Sequence, residues 1–490
     1  EPGRILCLTF TRAAAAEMAI RITGTLGQWT AAGDEILDMA LRELLERAPE
    51  DAEFRRARML FAEVLDTPGG MKILTIHAFC QSLLRRFPLE AGVAPHFAVA
   101  DERTARELLN EAQNRLLRHA RRGEDEQLAA ALAAITAQIG EDSFAKLMGE
   151  LTGARGKLAS GLGGGADAAK AVAAIARLLG VKKGESDTNL VLTACADDAF
   201  EREALVQAGA ALAAGSITDI ARGKLIADWL AGDETARIGG FDAYCQGFIT
   251  QDGSARKSLS TKAVRAAAPD VAETLAREQQ RLLAVQERRM ALAVMQNSAA
   301  LIRFGARMLH YYGQEKDARA VLDYGDQIME TSRLLSREDI APWVLYKLDG
   351  GLDHILVDES QDTSPLQWSV IAALAEEFFA GESAHEGART IFAVGDEKQS
   401  IFSFQGADPE ALAATRAQFR RQVEDARRQW REVPLERSFR STAAVLGALD
   451  AVFAGAAAAP GVVRTEEPMH HEAARIGQGG LVEIWPLAVP

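Results

Sequence analysis

The stretch ILVDESQDTSPLQW, residues 355–368, decides the fold class, because its apolar run passes without a turn residue into Asp358, Glu359, Gln361 and Asp362. A buried strand seldom needs adjacent acids at its end. Two neighbouring carboxylates suit nucleotide hydrolysis, since one can hold Mg²⁺ and the other can orient and deprotonate an attacking water. A solvated strand end whose acids cap the next helix is the alternative, and this motif alone does not separate the two interpretations.

Other short apolar runs also end in polar residues and lead into helix-like sequence. They are ILCLTF (5–10), KILTIH (72–77), HILVDE (354–359) and TIFAVGD (390–396). This alternation predicts an α/β fold, with a parallel sheet and covering helices. Ligands of such sheets bind beyond the carboxyl ends of the strands, so we expect the polar residues that end these runs to converge on one crevice.

Residues 101–350 have a different composition, rich in Ala, Leu, Arg and Glu and poor in strand-forming residues. Their apolar positions keep a helical period, broken at 153–170 and 181–189. The pattern predicts a large all-α domain inserted into the α/β domain, with loops at the two breaks.

Bulk composition limits the class of protein. A chain of 490 residues is too long for one core, and about three domains are expected. The net charge of −14 argues against a protein that binds nucleic acid non-specifically over its whole surface, but it allows a local basic groove. The cysteines form no CxxC pair, which favours a reduced, cytoplasmic protein without structural zinc, and no apolar stretch is long enough to span a membrane.

A second informative stretch is AVGDEKQSIFSFQGADP, residues 393–409. Gln399 follows the end of a predicted strand, where a neutral amide can contact a γ-phosphate without adding charge. Phe402 and Phe404 lie in a polar setting and suit the stacking of unpaired bases. Core aromatics beneath a loop are the alternative for these two residues.

The order of the motifs carries a family resemblance. LTFTRAAAAEM (8–18), TIHAFC (75–80), VDESQDT (357–363), VGDEKQSIFSFQGAD (394–408) and LERSFRS (435–441) follow one another along the chain. Together they resemble the superfamily 1 helicases of the UvrD/RecB type. The nearest likeness is to the AddA helicase-nuclease subunits of bacterial double-strand-break repair, which LDYGDQI (322–328) and LVEIWPL (481–487) also fit.

This resemblance implies a RecA-like fold of the P-loop NTPase type and a division of the chain into domains. Residues 1–100 and 351–430 would form the first RecA-like motor domain, 101–350 the inserted helical domain, and 431–490 the start of a second RecA-like domain.

The resemblance also implies ATP and Mg²⁺ as cofactors and assigns roles to single residues. Asp358 would hold Mg²⁺, Glu359 would activate water, and Gln399 would sense the γ-phosphate. Arg440 would reach that phosphate from the second RecA-like domain as an arginine finger, or else form an ordinary salt bridge. The residues implied to contact single-stranded DNA are Thr9, Phe10, Thr11, Thr75, His77, Phe402 and Phe404. For His77 alone, a structural histidine is the alternative.

The sequence departs from the family pattern in one main respect. It contains no GxxxxGK[ST] phosphate-binding loop; GARGKLAS (153–160) and ARGKLIAD (221–228) have Leu where Ser or Thr is needed. That loop precedes LTFT in the family, so we expect it upstream of Glu1, and we expect residues 1–490 to be an internal fragment without ATPase activity of its own. Gln405 also stands where many relatives have Arg.

The resemblance therefore implies an ATP-dependent, 3′→5′ DNA helicase or translocase of recombination and break repair. Its implied partners are single-stranded DNA, duplex DNA ends and an AddB-like nuclease subunit, with no membrane. A UvrD-type repair helicase without a nuclease partner and a non-catalytic DNA-binding module are the alternatives.

Overall fold

The computed structural model describes residues 1–123, 125–154, 168–349, 352–379, 389–400, 408–455, 457–460, 462 and 470–486. The strands are β1 Ile5–Thr9, β2 Lys72–Thr75, β3 Ala98–Val99, β4 Val321–Leu322, β5 His354–Val357, β6 Thr390–Ala393, β7 Arg437–Thr442 and β8 Glu472–Arg475. The helices are α1 Arg12–Ala31, α2 Asp34–Leu45, α3 Asp51–Asp66, α4 Ile76–Arg86, α5 Pro88–Ala91, α6 Glu102–Arg122, α7 Glu126–Thr136, α8 Glu141–Gly153, α9 Ala168–Leu178, α10 Asp187–Cys195, α11 Arg202–Leu212, α12 Ile217–Ala231, α13 Glu234–Gly239, α14 Phe241–Gln246, α15 Lys262–Ala267, α16 Pro269–Ala318, α17 Tyr324–Ser336, α18 Ala341–Asp349, α19 Pro365–Phe379, α20 Pro409–Asp425 and α21 Ala443–Phe453. The described residues divide into two compact units, 1–99 with 322–490, and 100–321.

The first unit is built on a parallel sheet with the strand order β2-β1-β5-β6. In the register of this sheet, Leu8 of β1 lies beside Leu74 on one side and Val357 on the other. Leu6, Cys7 and Leu8 are all buried, as expected for a parallel strand covered on both faces. The predicted α/β class with a parallel sheet is confirmed.

Strand β6 differs from β1 and β5, which lie inside the sheet. Among the described residues it pairs with β5 alone, and Phe392 is 55% exposed. Among the described residues β6 is therefore an edge strand with an uncovered aromatic side chain.

The core of the first unit lies between the sheet and its helices. Leu6 and Leu8 of β1 belong to the same buried cluster as Phe79 of α4 and Ile371 of α19. A smaller cluster around Leu37 joins α2 and α3 with Trp29 of α1. The larger cluster fixes α4 and α19 against the sheet, immediately after the strand ends of β2 and β5.

The second unit is helical in its described part, apart from an isolated bridge between Ile249 and Ala255 and the first residue of β4, Val321. It has two hydrophobic cores, one around Tyr244 and the other around Phe304. The 50-residue helix α16 contributes to both cores, with Leu275 and Leu282 in the first and Phe304 in the second. Whether this unit is the inserted domain predicted for 101–350 stays a prediction.

Strands β7 and β8 form a separate parallel pair, in which Arg437 lies opposite Glu472 and Thr442 opposite Arg475. Helix α21 lies between them in the chain and contributes the buried side chain of Leu446. The assignment of this segment to a second RecA-like domain also stays a prediction.

Candidate functional site

The acidic loop continues directly from β5. The Asp358 amide extends the strand ladder by donating to the carbonyl of Leu8, at 2.9 Å. Glu359 then takes the left-handed conformation, with φ 50° and ψ 46°. A left-handed backbone costs a residue with a Cβ about 1–2 kcal/mol, so the surrounding contacts must hold it. A short 3-10 turn at Ser360–Asp362 follows and leads towards α19.

The carboxylates of this loop have different environments. Burial raises the pKa of Asp358, and the neighbouring charge of Glu359 raises it further. Burial and the same charge raise the pKa of Asp362, whose Oδ1 atom is buried without a hydrogen-bond partner among the described residues. Glu359 itself is exposed. The loop therefore concentrates negative charge that a cation could compensate, with one carboxylate open to solvent.

The loop after β6 packs against the acidic loop. Val394 donates its amide to the carbonyl of Val357, and Ser360 donates its amide to the carbonyl of Val394, both at 2.9 Å. Gly395 lies so close that a Cβ there would stand 2.3 Å from Ser360 Oγ and 2.5 Å from Gln361 Oε1. This approach explains why the strand end carries glycine.

Gln399 lies on a short 3-10 turn, Glu397–Gln399, that follows this glycine. Its Nε2 atom donates to Asp396 Oδ2 at 3.0 Å, and Lys398 Nζ lies 3.0 Å from Asp396 Oδ1. Burial alone would raise the pKa of Asp396, but these hydrogen bonds lower it on balance. Gln399 is exposed, and Asp396 orients its amide at the carboxyl end of β6.

The last residue of β1 and the residues that follow it lead into helix α1. The Thr9 hydroxyl is buried and donates to the carbonyl of Thr11 at 3.0 Å. Thr11 caps α1, because its Oγ1 accepts from the Ala14 amide at 3.0 Å. Phe10 is half-buried. The LTFT motif thus has a structural use, the start of α1, besides the DNA contact implied for it.

The last residue of β2 and the residues that follow it show the same pattern. Thr75 is buried and caps α4, since its Oγ1 accepts from the Ala78 amide at 3.2 Å. His77 packs edge-on against Tyr324, with the ring centroids 5.6 Å apart, and burial lowers the pKa of His77. Tyr324 remains 48% exposed, which makes it an aromatic surface beside the TIH motif.

The remaining predicted residues are Arg440, Phe402 and Phe404. Arg440 is exposed on β7, and none of the described residues pairs with its guanidinium; its backbone carbonyl accepts from Arg475 Nη1 at 3.0 Å. Phe402 and Phe404 lie outside the described residues. The roles predicted for all of these residues stay predictions.

The carboxylates of the site suit one kind of divalent-metal binding and not another. Nowhere in the described ranges do three or more His, Cys, Asp or Glu side chains group as a metal site. Mg²⁺ usually keeps several waters and binds one or two carboxylates together with substrate phosphates. Asp358, with its raised pKa and half-buried position, fits that kind of ligation, whereas an all-protein metal cage does not fit.

Sequence reasoning missed two residues of this site. Gln361 and Gly395 lie within the recognised motifs but were given no role, although they form the contact between the two loops. The available signal was a glycine directly after an apolar run, which suggests close backbone approach.

A parallel sheet with adjacent Asp and Glu at one strand end, interlocked with an amide-bearing loop from the next strand, is typical of α/β nucleoside-triphosphate hydrolases. The chain belongs to the UvrD/REP helicase N-terminal domain family, which matches residues 1–420. The resemblance found in the sequence is thereby confirmed.

Similar curated proteins are named as ATP-dependent helicase/nuclease subunits. The protein of Staphylococcus carnosus is 31% identical over 143 residues, which cover 29% of this chain and 11% of that protein. That of Levilactobacillus brevis is 34% identical over 130 residues, 26% of this chain and 10% of the relative. That of Latilactobacillus sakei is 35% identical over 127 residues, which cover 26% of this chain and 13% of the relative. The matched stretch thus spans about a tenth of each relative. In the described part of the chain, every helix is too short or too polar to cross a membrane.

Proposed function

We propose that this protein is an ATP-dependent DNA helicase or translocase that moves 3′→5′ on single-stranded DNA during the repair of double-strand breaks. The observation that carries the proposal is the Asp358-Glu359 pair at the carboxyl end of β5, interlocked with the loop that carries Gln399. Family membership and the relatives' names support the same activity.

Four residues, from three parts of the chain, have distinct tasks in this mechanism. Asp358 would hold Mg²⁺ through one carboxylate, and the bound ion supplies charge neutralisation at the phosphates of ATP. The exposed Glu359 carboxylate accepts the proton of the attacking water. Gln399, oriented by Asp396, donates its amide towards the γ-phosphate, and Arg440 on β7 contributes a forked guanidinium to the same phosphate.

The DNA contacts of the mechanism use the helix starts after β1 and β2. Thr11 and Thr75 each accept a backbone hydrogen bond as a cap, yet each hydroxyl keeps its own proton to donate to a phosphate oxygen. The first turns of α1 and α4 also favour negative charge. Thr9, Phe10 and His77 lie nearby in sequence, so the carboxyl ends of β1 and β2 form the proposed path for single-stranded DNA. Phe402 and Phe404 are proposed as platforms on which its bases stack.

The partners follow from the relatives' names. Because those proteins are named as one subunit of a helicase/nuclease, a second subunit is implied, and we propose that it is of the AddB kind. The protein would act on duplex DNA ends within such a complex, in the cytoplasm. We also propose that residues 1–490 alone have no ATPase activity, because their sequence lacks a GxxxxGK[ST] loop.

The test is Glu359→Gln in the full natural protein, with Glu376→Gln on α19 as the exposed control. Loss of the general base should lower ATP hydrolysis about 10²–10⁴-fold while single-stranded DNA binding is retained. The control should hydrolyse ATP normally. Near-normal turnover of Glu359→Gln would remove Glu359 from this role, and absence of ATPase in the unmodified protein would favour a non-catalytic DNA-binding module.

A further inference from the structure

Gln361 lies between the proposed general base and the neighbouring loop. The residue is 2% exposed, and both ends of its side-chain amide form hydrogen bonds. The Nε2 atom donates to Glu359 Oε2 at 2.6 Å, and the Oε1 atom accepts the Asp396 amide at 3.1 Å. Its backbone carbonyl accepts from the Ser400 hydroxyl at 3.3 Å.

The chemistry of the two neighbours fixes the direction of this amide. A carboxylate can only accept a hydrogen bond and a backbone amide can only donate one, so one side chain must do both. The amide of Gln361 meets both needs, because its NH₂ group donates and its oxygen accepts. Asn is one methylene shorter than Gln361 and would not span the same gap.

Two features restrict the bridge further. Glu359 is held in the left-handed conformation, so the direction of its side chain depends on the contacts around it. Gly395 leaves only enough room for the Gln361 amide, since an added Cβ would stand 2.5 Å from Gln361 Oε1. A displacement of the loop after β6 must therefore act on Gln361, and through it on Glu359.

We propose that Gln361 is a positioning residue, which holds the Glu359 carboxylate in place and connects it to the backbone of the loop after β6. This inference rests on the proposed function, because it takes Glu359 as the general base. A buried glutamine that merely satisfies neighbouring polar groups would stabilise the fold without affecting turnover specifically.

Charged groups surround the bridge on both loops. Asp358 and Asp362 lie on the same loop as Glu359 and sense its charge, whereas Asp396 and Lys398 on the loop after β6 pair with each other. Replacing Gln361 by a carboxyl group would therefore add an acid to a site where the unpaired charge is already negative.

The test uses Gln361→Leu and Gln361→Glu in the full natural protein, with Gln367→Glu as the matched control. Gln367 is also buried, but its Oε1 accepts from the Ser364 amide and a carboxylate can do the same. We expect Gln361→Leu to lower kcat about 10–100-fold, the effect typical of losing the partner that orients a functional group, with the KM for ATP little changed.

Gln361→Glu gives a readout that a merely structural residue would not. Two carboxylates in contact disfavour double ionisation, so the folded variant retains a proton that the unfolded chain has released. The folded pKa of the pair is thus raised, and the stability deficit is largest at high pH and shrinks as the pH falls. A shared proton also restores the donor to Glu359, so the deficit in kcat should shrink over the same range.

The outcomes separate this inference from the proposed function. The role of Gln361 would be overturned if Gln361→Leu kept the kcat of the unmodified protein. It would also be overturned if the loss of melting temperature in Gln361→Glu did not depend on pH, or equalled the loss in Gln367→Glu. If the unmodified protein lacks ATPase activity, the proposed function fails, while the pH-dependent stability difference still decides whether the bridge exists.

Discussion

Substitution of Gly395 by alanine tests the contact between the two loops most directly. The added Cβ would stand 2.3 Å from Ser360 Oγ, 2.5 Å from Gln361 Oε1 and 3.1 Å from Gln361 N, whereas ordinary contacts begin near 3.4 Å. At least one group must therefore move by roughly 1 Å, the difference between 2.3 and 3.4 Å.

The overlap can be relieved in two ways, and the costs are similar. If the loops separate, overpacking of this kind costs about 1–3 kcal/mol. If instead the Ser360 hydroxyl and the Gln361 side chain both swing aside, the Asp396 amide loses its acceptor, which costs about 1–3 kcal/mol. Because these routes are alternatives, we expect Gly395→Ala to lower the free energy of unfolding by about 1–3 kcal/mol in total. Either route also displaces Glu359, so ATP hydrolysis should fall.

Urea denaturation and steady-state ATPase assays measure the two effects. Gly447→Ala is the matched control, because Gly447 lies within α21 with no atom within 4 Å of an added Cβ. That substitution should stabilise the protein by about 0.5–1 kcal/mol through helix propensity. If Gly395→Ala has the stability and turnover of the unmodified protein, the close packing of the two loops is refuted.

Further substitutions test the acidic loop and the helix caps. Glu359→Asn and Glu359→Ala should both abolish most hydrolysis and both lose the hydrogen bond from Gln361, but Glu359→Asn should be the more stable by up to about 1 kcal/mol, because Asn tolerates the left-handed backbone better; equal stabilities of the two variants in urea would contradict that conformation. Burial, and then the charge of Glu359, raise the pKa of Asp358 in the folded protein. The ionised carboxyl group therefore lowers the stability at neutral pH, and this cost disappears as the pH falls towards the pKa of Asp358 in the unfolded chain. Asp358→Asn should therefore gain melting temperature at pH 7 and little at about pH 4; a gain independent of pH would refute the raised pKa. Thr75→Ala should lose about 1 kcal/mol through the N-cap of α4, whereas Thr75→Ser should retain it, and equal melting temperatures of the two variants would contradict the cap.

The sheet could be predicted from sequence because its signals are local. Each apolar run is long enough for one strand, and each leads into a helix of its own. The runs at 5–10, 72–77, 354–359 and 390–396 contain β1, β2, β5 and β6, and all of them pair in parallel. The order of the strands was not predicted, since it depends on contacts between distant segments.

The internal geometry of the site could not be predicted for the same reason. Gln361 and Asp396 are 35 residues apart, and nothing near either residue indicates that they meet. The left-handed conformation of Glu359 has no local signal either, because glutamate seldom adopts it. The helix caps formed by Thr11 and Thr75 could have been predicted, since each threonine stands directly before a helical run. The resemblance implied DNA contact for these two residues instead.

Helix α16 has a consequence for how the second unit unfolds. At about 1.5 Å per residue, its 50 residues form a rod of about 75 Å that contributes Leu275 and Leu282 to one core and Phe304 to the other. Between these stretches the helix carries exposed apolar side chains, including Met290 and Val294. If either core loses its segment of α16, a new helix end forms with unpaired amides and carbonyls, so local opening of one core should propagate along the helix. In hydrogen exchange, amides of the two cores should therefore share one opening free energy, and the two cores should behave as a single cooperative unit.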